Sequence, residues 1–447
     1  MTRAIVLGAG IAGLVATHRL LRDGFDVTVL EARARVGGRV HTLRDQASGS
    51  IAEFGAMRIP AVHHLTVSLC AELGVPLVRF SSGSAGVHGS WGSVHHEGRT
   101  SLAEWERSAD VWARWEETTS DVRADWNRMS PRRFANVYDR QSLRDFLAGR
   151  GWSASAIEEY GILSFTESTL GTSAVHEFRE AFALVYESAY GVEGGMDRLP
   201  LRLLQVIGDR VRLGVAVDRI VAEPDGVRIG FKTASGQSEL HADLVLCTLP
   251  FSVLRNVEMV GTFSPQKRRA IRQLHYDAAT KVFVRLRQAS WRRDVGPSGG
   301  AMATALPIRR VHYPAQQSSS EGRHLLLASY TWGQDALRWA ALSEDERVAL
   351  AARDLEQLHP GINEDVEGGA SHAWSSDPYS MGAYALAEPG QLRELAESSR
   401  WPEGNVFFAG EHCSDTPAWV EGAVHSGLRA AEEMSLRTRS SIGRDQL

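Results

Sequence analysis

The fold of this chain is decided near its start, by Ala4-Ile5-Val6-Leu7-Gly8-Ala9-Gly10-Ile11-Ala12-Gly13. Four apolar residues predict a short buried strand, and the Gly-x-Gly-x-x-Gly after them predicts a tight turn into a helix. Helical spacing continues to Asp23, and a second apolar strand, residues 27–30, ends at Glu31. An acid about 20 residues beyond the last glycine is typical of a dinucleotide site. The order strand, turn, helix, strand and acid therefore predicts a Rossmann-like domain.

Each glycine of this turn has its own predicted role. Gly8 allows the sharp turn, Gly10 lets the backbone approach a pyrophosphate, and Gly13 lets the helix pack closely on the sheet. Ile11 and Ala12 open the helix, where free N–H groups and a partial positive charge suit a phosphate. A glycine-rich turn that binds nothing is the disfavoured alternative, because strand, helix and acid all agree.

A second glycine-containing loop follows at once: Ala32-Arg33-Ala34-Arg35-Val36-Gly37-Gly38-Arg39. Glu31 can accept hydrogen bonds from ribose hydroxyls, and the glycines let the loop approach a phosphate. The Arg39 guanidinium offers a fork of donors to such an anion. A nicotinamide cofactor does not require a second anion-binding loop here, so the pattern favours a flavin. A basic surface turn is the alternative.

Composition narrows the class of protein. A length of 447 residues predicts two or three domains, and 43% hydrophobic with 23% charged residues is typical of a globular protein. The net charge of −5 gives no electrostatic footprint for nucleic acid. The three cysteines are far apart and form no Cys-x-x-Cys, which fits a reducing cytoplasm. No histidine spacing suits a metal, and the longest apolar run is too short for a membrane helix.

The two glycine loops and the acid resemble the flavin-dependent amine oxidase superfamily. The stretch Gly55-Ala56-Met57-Arg58-Ile59-Pro60 resembles its L-amino acid oxidase branch more specifically. In that branch this arginine binds the substrate α-carboxylate, and a guanidinium matches a carboxylate with two hydrogen bonds. Two alternatives for Arg58 stay open: a contact with flavin phosphate, or an ion pair with Glu53.

The resemblance implies roles for four residues farther along the chain. Lys281 is expected to hold a water beside flavin N5 and to support dioxygen reactivity. Tyr330 is expected to join the carboxylate site. Ala383 stands where monoamine oxidases carry the cysteine that bonds to the flavin, so the FAD is predicted to be noncovalent. Tyr384 is expected to face the flavin ring.

The remaining implied contacts lie in the return to the nucleotide domain. Val217, in the strand-like segment 211–221, contacts the adenine through its backbone. Glu411 binds ribityl or phosphate-side atoms, Trp419 faces the substrate, and the helix from Gly422 points at flavin O2. The complete predicted cofactor set is Gly8, Gly10, Ile11, Ala12, Gly13, Glu31, Ala32, Arg33, Gly38, Arg39, Gly55, Ala56, Met57, Arg58, Val217, Gly410, Glu411, Trp419 and Ala423. The predicted catalytic set is Lys281, Arg58, Tyr330, Tyr384 and Trp419.

The predicted fold class is α/β with three discontinuous domains. Residues 1–60, 191–250 and 396–447 form the Rossmann-like FAD-binding domain. Residues 61–100 and 251–395 form a substrate domain with a mixed or antiparallel sheet. Residues 101–190 form a helical domain, since charges alternate with apolar residues there. This domain carries Trp105, Trp112, Trp115 and Trp126, and in the resembled family it lines part of the side-chain pocket.

The implied activity is oxidation of an L-amino acid by hydride transfer to flavin N5. Hydrolysis of the imino acid gives the 2-oxo acid and ammonia, and dioxygen is converted to hydrogen peroxide. The tryptophan-rich domain suggests large apolar or aromatic side chains. Three alternatives remain: an oxidase of amines without a carboxylate, an amino acid 2-monooxygenase, and a flavin-binding subunit without turnover. The expected partners are an amino acid and dioxygen, with no nucleic acid and no membrane, in a cytoplasmic protein whose assembly is left open, a homodimer included.

Overall fold

A five-stranded parallel sheet forms the centre of the nucleotide half of the molecule. The computed structural model describes residues 1–80, 110–295, 300–314 and 322–442. All neighbouring strands of this sheet run parallel, in the order Val406–Phe408, Leu244–Cys247, Arg3–Leu7, Asp26–Leu30 and Val211–Arg212. Its strands are apolar because both faces are covered. The Rossmann-like prediction is confirmed.

Helices cover one face of the parallel sheet. They are Ile11–Arg22, His64–Glu72, Arg198–Ile207 and Val420–Ile442. The first and last of these pack so closely that a Cβ on Gly427 would lie 2.5 Å from the Ala12 carbonyl oxygen. Leu14, Leu20 and Met434 are fully buried in the core that they share with the sheet. This packing holds the glycine turn at the start of Ile11–Arg22 in a fixed place.

A four-stranded sheet covers the other face. Its strands lie in the order Gly236–Ala242, Gly226–Thr233, Ala216–Glu223 and Glu258–Val260. The predicted single strand over 211–221 is therefore wrong: its first two residues join the parallel sheet, and Ala216–Glu223 joins this one. The chain changes sheets through a turn at Gly214, whose φ of +72° suits glycine.

The second half of the molecule contains a five-stranded antiparallel sheet, called here the large antiparallel sheet. Its order is Gly300–Ala303, Arg310–Tyr313, His324–Trp332, Ala279–Leu286 and Val366–Ala373. Helices Gly333–Ala340 and Glu344–Leu358 cover one face and bury Val282, Val284 and Leu355. The predicted second, antiparallel sheet is confirmed.

In its described part, from residue 110 on, the predicted helical insertion contains six short helices. They are Val111–Thr118, Ser120–Arg128, Pro131–Tyr138, Leu143–Gly149, Ala154–Ser164 and Ala174–Phe182. Their shared core is aromatic, with Trp115, Phe134, Tyr160 and Phe178 buried together. Trp105 and the predicted junction at residues 100 and 101 lie outside the described residues. The domain limits, residue by residue, stay a prediction.

The remaining elements connect these layers. Small sheets pair Thr42–Arg44 with Ile51–Glu53, Tyr276–Asp277 with Tyr384–Ala385, and Ala189–Val192 with Ile59–Pro60 and Leu77–Arg79. Short helices span Phe251–Leu254, Pro265–Gln273, Arg292–Val295, Ile362–Asp365, Gln391–Arg400 and Glu411–Cys413. None of the helices in the described ranges has the length and apolar character that a bilayer crossing requires. All three cysteines are buried and unpaired.

Candidate active site

A cavity of about 910 Å³ collects the predicted site residues from distant parts of the chain. Its wall includes the glycine turn, residues of the large antiparallel sheet, and residues of the helical insertion. Every predicted cofactor residue lines it except Gly13, and so do Tyr330 and Tyr384. Lys281 lies behind the wall. The structure therefore brings both predicted sets to one place.

The glycine turn leaves open space where a phosphate would bind. Gly8 has a φ of +99°, and its amide donates to the Leu30 carbonyl oxygen at 2.8 Å. A Cβ on Gly13 would lie 2.1 Å from the Gly8 carbonyl oxygen, so only glycine fits at that point of helix packing. A Cβ on Gly10, in contrast, would have no protein atom within 4 Å. The space in front of Gly10, at the start of Ile11–Arg22, fits a pyrophosphate.

Glu31 also fixes the turn from the side of the second strand. The carboxyl group is buried and accepts hydrogen bonds from the backbone amides of Ala9 at 2.8 Å and Arg33 at 2.9 Å. An ionised carboxylate has about four lone-pair sites, so acceptor capacity remains for ribose hydroxyls. The Arg33 guanidinium forms an ion pair with Asp377 and donates to the Ser380 hydroxyl at 2.9 Å. Arg33 therefore ties this loop to the second half of the molecule.

Arg39 and Glu411, both predicted to bind the cofactor, form an ion pair with each other at 2.7 Å. The same Arg39 nitrogen donates to the Ala383 carbonyl oxygen at 3.0 Å. The Glu411 carboxylate also accepts a hydrogen bond from the Ala418 amide at 2.9 Å. The pair joins the second glycine loop to the start of the last helix, and any phosphate contact of Arg39 stays a prediction.

Replacing Arg39 with methionine is expected to destabilise the fold. The Glu411 side chain is only 7% exposed, and the substitution leaves it without its charged partner. The backbone amides of Ala385 and Ala418 remain as donors to this carboxylate. We therefore expect the free energy of unfolding to fall by about 2–3 kcal/mol. Urea denaturation of Arg39→Met measures this. The control is Arg22→Met, which removes an ion pair that is exposed on both sides and is expected to cost less than about 1 kcal/mol. Equal losses in the two variants would contradict the prediction.

Three consecutive carbonyl groups position the segment that leads to Arg58. Lys281 Nζ donates to the carbonyl oxygens of Glu53 at 2.8 Å and Gly55 at 2.7 Å. Between them, the Phe54 carbonyl oxygen accepts a hydrogen bond from Trp374 Nε1 at 2.8 Å. Both donors come from the large antiparallel sheet or the residue directly after it. The segment is thereby held against that sheet, with Arg58 at the cavity wall.

Lys281 is a buried residue, with 1% of its surface exposed. Its Nζ lies 4.4 Å from the centre of the Tyr330 ring. Burial lowers the pKa of the lysine to about 7, with the positive charge of Arg58 adding to the effect. Lysine is usually exposed in proteins, but a surface position is excluded for Lys281. The water at flavin N5 stays a prediction.

Arg58 is held by aromatic rings rather than by an acid. Its guanidinium carbon lies 5.2 Å from the centre of the Tyr186 ring and 5.8 Å from that of Trp419. The Glu53 carboxylate instead accepts hydrogen bonds from a threonine hydroxyl and a backbone amide. The Glu53 alternative is therefore wrong, since the described structure contains no such ion pair. A cation that faces the cavity between aromatic rings suits an anionic ligand.

The other predicted wall residues are fixed through polar partners. Tyr384 donates a hydrogen bond from its hydroxyl to Asp277 at 3.2 Å, and burial raises the pKa of Asp277. Trp419 Nε1 donates to Glu180 at 2.8 Å, and burial also raises the pKa of Glu180. Tyr330 lines the cavity through the large antiparallel sheet. These bonds hold the rings of Tyr384 and Trp419 in place along the wall.

Several wall residues were not predicted from the sequence. They include Tyr186, Glu180 and Arg310, and Asp277 supports the wall from behind. Arg310 begins a strand whose four residues, Arg310–Tyr313, are all buried, so no alternation in the sequence marks it as a cavity residue.

Comparisons with known proteins agree with this geometry. A family model described as flavin containing amine oxidoreductase matches residues 11–435. The chain is 34% identical to the flavin-dependent L-tryptophan oxidase RebO of Lentzea aerocolonigenes, over 95% of this chain and 96% of that protein. It is 33% identical to an L-amino-acid oxidase of Mus musculus, over 96% of this chain and 70% of that protein.

Solved structures share the fold across the whole chain. Putrescine oxidase bound to putrescine superposes with a TM-score of 0.75 at 23% identity, covering 97% of this chain and 98% of that one. Cyclohexylamine oxidase from Brevibacterium oxydans IH-35A superposes with a TM-score of 0.75 at 20% identity, covering 98% and 99%. The solved structures show the fold, and the family model together with the relatives at 33% and 34% identity shows that the chain belongs to the flavin containing amine oxidoreductase family.

Proposed function

We propose that this protein is an FAD-dependent L-amino acid oxidase. The observation that carries the proposal is Arg58, a cation at the cavity wall that has no acidic partner in the described structure and lies between aromatic rings. The reaction would convert an L-amino acid and dioxygen to the 2-oxo acid, ammonia and hydrogen peroxide. The similarity to L-amino-acid oxidases over most of the chain supports this assignment.

The residues of the cavity fit a noncovalently bound FAD. The open space before Gly10 suits the pyrophosphate, Glu31 has acceptor capacity for a ribose, and Val217 and Ala423 line the same cavity. Ala383 lies at the wall, and none of the three cysteines lines it, which supports noncovalent binding. When bound, the flavin would supply the hydride acceptor for the substrate Cα–H.

The protein's own contribution is orientation and exclusion of water. Arg58 and the Tyr330 hydroxyl would bind the α-carboxylate, with charge-assisted hydrogen bonds from the guanidinium. Tyr384 and Trp419 would confine the substrate between fixed rings. Such positioning can supply a large part of the rate enhancement, because two reactants held in one geometry react as if unimolecular. The neutral amine would be reached by proton loss to solvent.

The alternative functions differ in the role that Arg58 would have. An oxidase of amines without a carboxylate would leave this arginine without a ligand, although the fold is shared with putrescine and cyclohexylamine oxidases. An amino acid 2-monooxygenase would use the same carboxylate site but give an amide. A flavin-binding subunit without turnover is the weaker alternative, since Lys281 is present and buried next to Tyr330.

The test is anaerobic bleaching of the bound flavin by matched pairs of substrates. Each L-amino acid is compared with its decarboxylated amine at the same concentration. Bleaching by the amino acid alone supports the proposal, and bleaching by amines alone supports the amine oxidase. Product analysis in air then separates the oxidase, which gives the 2-oxo acid, from the monooxygenase, which gives the amide.

The dioxygen-dependent step is expected to depend on the charge of Lys281. Its pKa of about 7 means that the ammonium form is lost as the pH rises through neutrality. A positive charge near the reacting centre stabilises developing negative charge, so the rate should fall by about tenfold between pH 6 and pH 8. Dioxygen consumption by the substrate-reduced enzyme measures this rate. Lys281→Met should give a lower rate without that step in the profile, and an unchanged profile would contradict the assignment.

Partners, cellular location and oligomeric state complete the proposal. An amino acid and dioxygen are the proposed small-molecule partners, and neither nucleic acid nor a membrane is proposed. A cytoplasmic location rests on three free, buried cysteines. The oligomeric state, with a homodimer as one alternative, stays a prediction that light scattering can decide.

A further inference from the structure

Arg310 is a cavity residue with an unexplained charge. It begins the strand Arg310–Tyr313 of the large antiparallel sheet, and 9% of its surface is exposed. Its guanidinium carbon lies 3.4 Å from the centre of the Phe165 ring. Its Nε has no hydrogen-bond partner in the described part of the chain, although the residue lines the cavity. The guanidinium forms no ion pair and no hydrogen bond with the described residues, and a buried charge without an acceptor is costly, so its place at the cavity wall indicates an anionic ligand.

The charges around Arg310 do not supply that acceptor. The nearest elements contribute a second cation, Arg58, and an acid, Glu167, which act on Arg310 in opposite directions. Glu167 lies 3.9 Å from Arg309, which also pairs with Asp335 at 2.8 Å, so its closest cation is not Arg310. Burial and the charge of Arg58 lower the pKa of Arg310 to about 9, which leaves it charged at neutral pH.

The Phe165 ring covers one face of the Arg310 guanidinium, but it provides no hydrogen-bond acceptor for the N–H groups at the edges. The N–H donors lie in the guanidinium plane, and a planar fork of this kind matches a carboxylate. Arg58, Arg310 and Tyr330 all line the same cavity. Burial raises the pKa of the Tyr330 hydroxyl, and the positive charges of Arg58 and Arg310 both lower it, so both cations lie near this ring. An α-carboxylate bound at Arg58 leaves Arg310 without an ion-pair partner, because Glu180 accepts its hydrogen bond from Trp419 and Glu167 lies nearest to Arg309.

We propose that Arg310 binds a second carboxylate, carried on the side chain of the substrate, and that the substrate class is the dicarboxylic L-amino acids. This inference rests on the proposed function, because it assigns the α-carboxylate to Arg58. It competes with the sequence expectation of a large apolar or aromatic side chain, and the two make opposite predictions for L-glutamate.

The first experiment uses binding alone. Glutarate carries two carboxylates and no amine, so it can bind but cannot be oxidised, and pentanoate is its monocarboxylate match. We expect glutarate to raise the melting temperature of the FAD-loaded wild-type protein more than pentanoate does. Arg310→Met should remove this difference. Because the variant removes a buried charge without an ion-pair partner, we expect it to fold at least as stably as the wild type.

The second experiment compares anaerobic flavin reduction by L-glutamate, L-glutamine and L-methionine. One lost charge-assisted contact predicts that Arg310→Met slows reduction by L-glutamate about 10- to 150-fold, with L-glutamine and L-methionine within about threefold of wild type. Arg310→Lys should recover part of the L-glutamate rate, since it keeps the charge but not the fork.

Three other outcomes would overturn either the side-chain assignment of Arg310 or the proposed function. An equal loss for all three amino acids would place Arg310 in the α-carboxylate site and overturn the side-chain assignment. Preference of the wild type for L-methionine or L-phenylalanine over L-glutamate would also overturn it, with the L-amino acid oxidase proposal intact. Reduction by decarboxylated amines but by no L-amino acid would refute the proposed function itself.

Discussion

Arg58→Leu is expected to lower kcat/KM for L-amino acids by about 10²–10⁴. The substitution removes two charge-assisted hydrogen bonds to the substrate carboxylate, each worth about 1.5–3 kcal/mol, and about 1.4 kcal/mol corresponds to a factor of ten. The side chain forms no ion pair with an acid in the described structure, and the buried Glu180, whose pKa its charge lowers, keeps Arg179 and the Trp419 hydrogen bond. Steady-state kinetics of the FAD-loaded variant measures the loss.

Two controls separate carboxylate binding from a structural role. Arg58→Lys keeps the charge without the fork and should lie between wild type and Arg58→Leu. Turnover of a decarboxylated amine, where measurable, should not change in either variant, because the amine makes no contact with the guanidinium. If Arg58→Leu releases FAD or slows amine oxidation as much as amino acid oxidation, Arg58 serves the cofactor or the fold, and the proposed function loses its main support.

The nucleotide half of the fold could be predicted from the sequence because its constraints are local. A backbone turn requires glycine at position 8, and a close contact of the helix requires glycine at position 13. Both constraints involve residues that lie within a few positions of each other in the sequence. Glu31 ends the adjacent strand, so the spacing to the glycine turn is set by one helix and one strand. Such a pattern can be recognised in the sequence because the residues that contact each other in space are also close together along the chain.

The partners of the arginines could not be predicted in the same way. Arg33 binds Asp377 and Arg39 binds Glu411, acids more than 340 residues away in the sequence. The motif correctly places both arginines at the cavity, but it does not contain the acids that neutralise them. Their contribution to phosphate binding is therefore a separate question from their position.

The burial of polar side chains is a second property that local sequence patterns do not predict. Lysine is usually exposed in proteins. Lys281 is an interior residue because its strand pairs with a neighbouring strand on each side. Arg310 is likewise buried in a strand whose four residues are all interior, so the sequence shows no alternation that would indicate its position. The strand break after Val211–Arg212 likewise depends on which sheet each half joins.

Gly10→Ala is expected to weaken FAD binding by about 10²–10⁴ while leaving the apoprotein folded. The added Cβ would meet no protein atom within 4 Å, so the protein itself accommodates it. That space is where a pyrophosphate would approach the start of Ile11–Arg22, and blocking it costs about two charge-assisted hydrogen bonds. Titration of the apoprotein with FAD, followed by flavin fluorescence, measures the affinity.

Two further alanine variants make this result specific to the cofactor. Gly149→Ala also adds a Cβ into open space, but at the end of Leu143–Gly149, and should change neither stability nor FAD affinity by more than about 1 kcal/mol. Gly13→Ala would put its Cβ 2.1 Å from the Gly8 carbonyl oxygen and should destabilise the apoprotein as well. If Gly10→Ala unfolds the apoprotein as Gly13→Ala does, the turn is a packing element. If Gly10→Ala binds FAD as tightly as wild type, the pyrophosphate lies elsewhere.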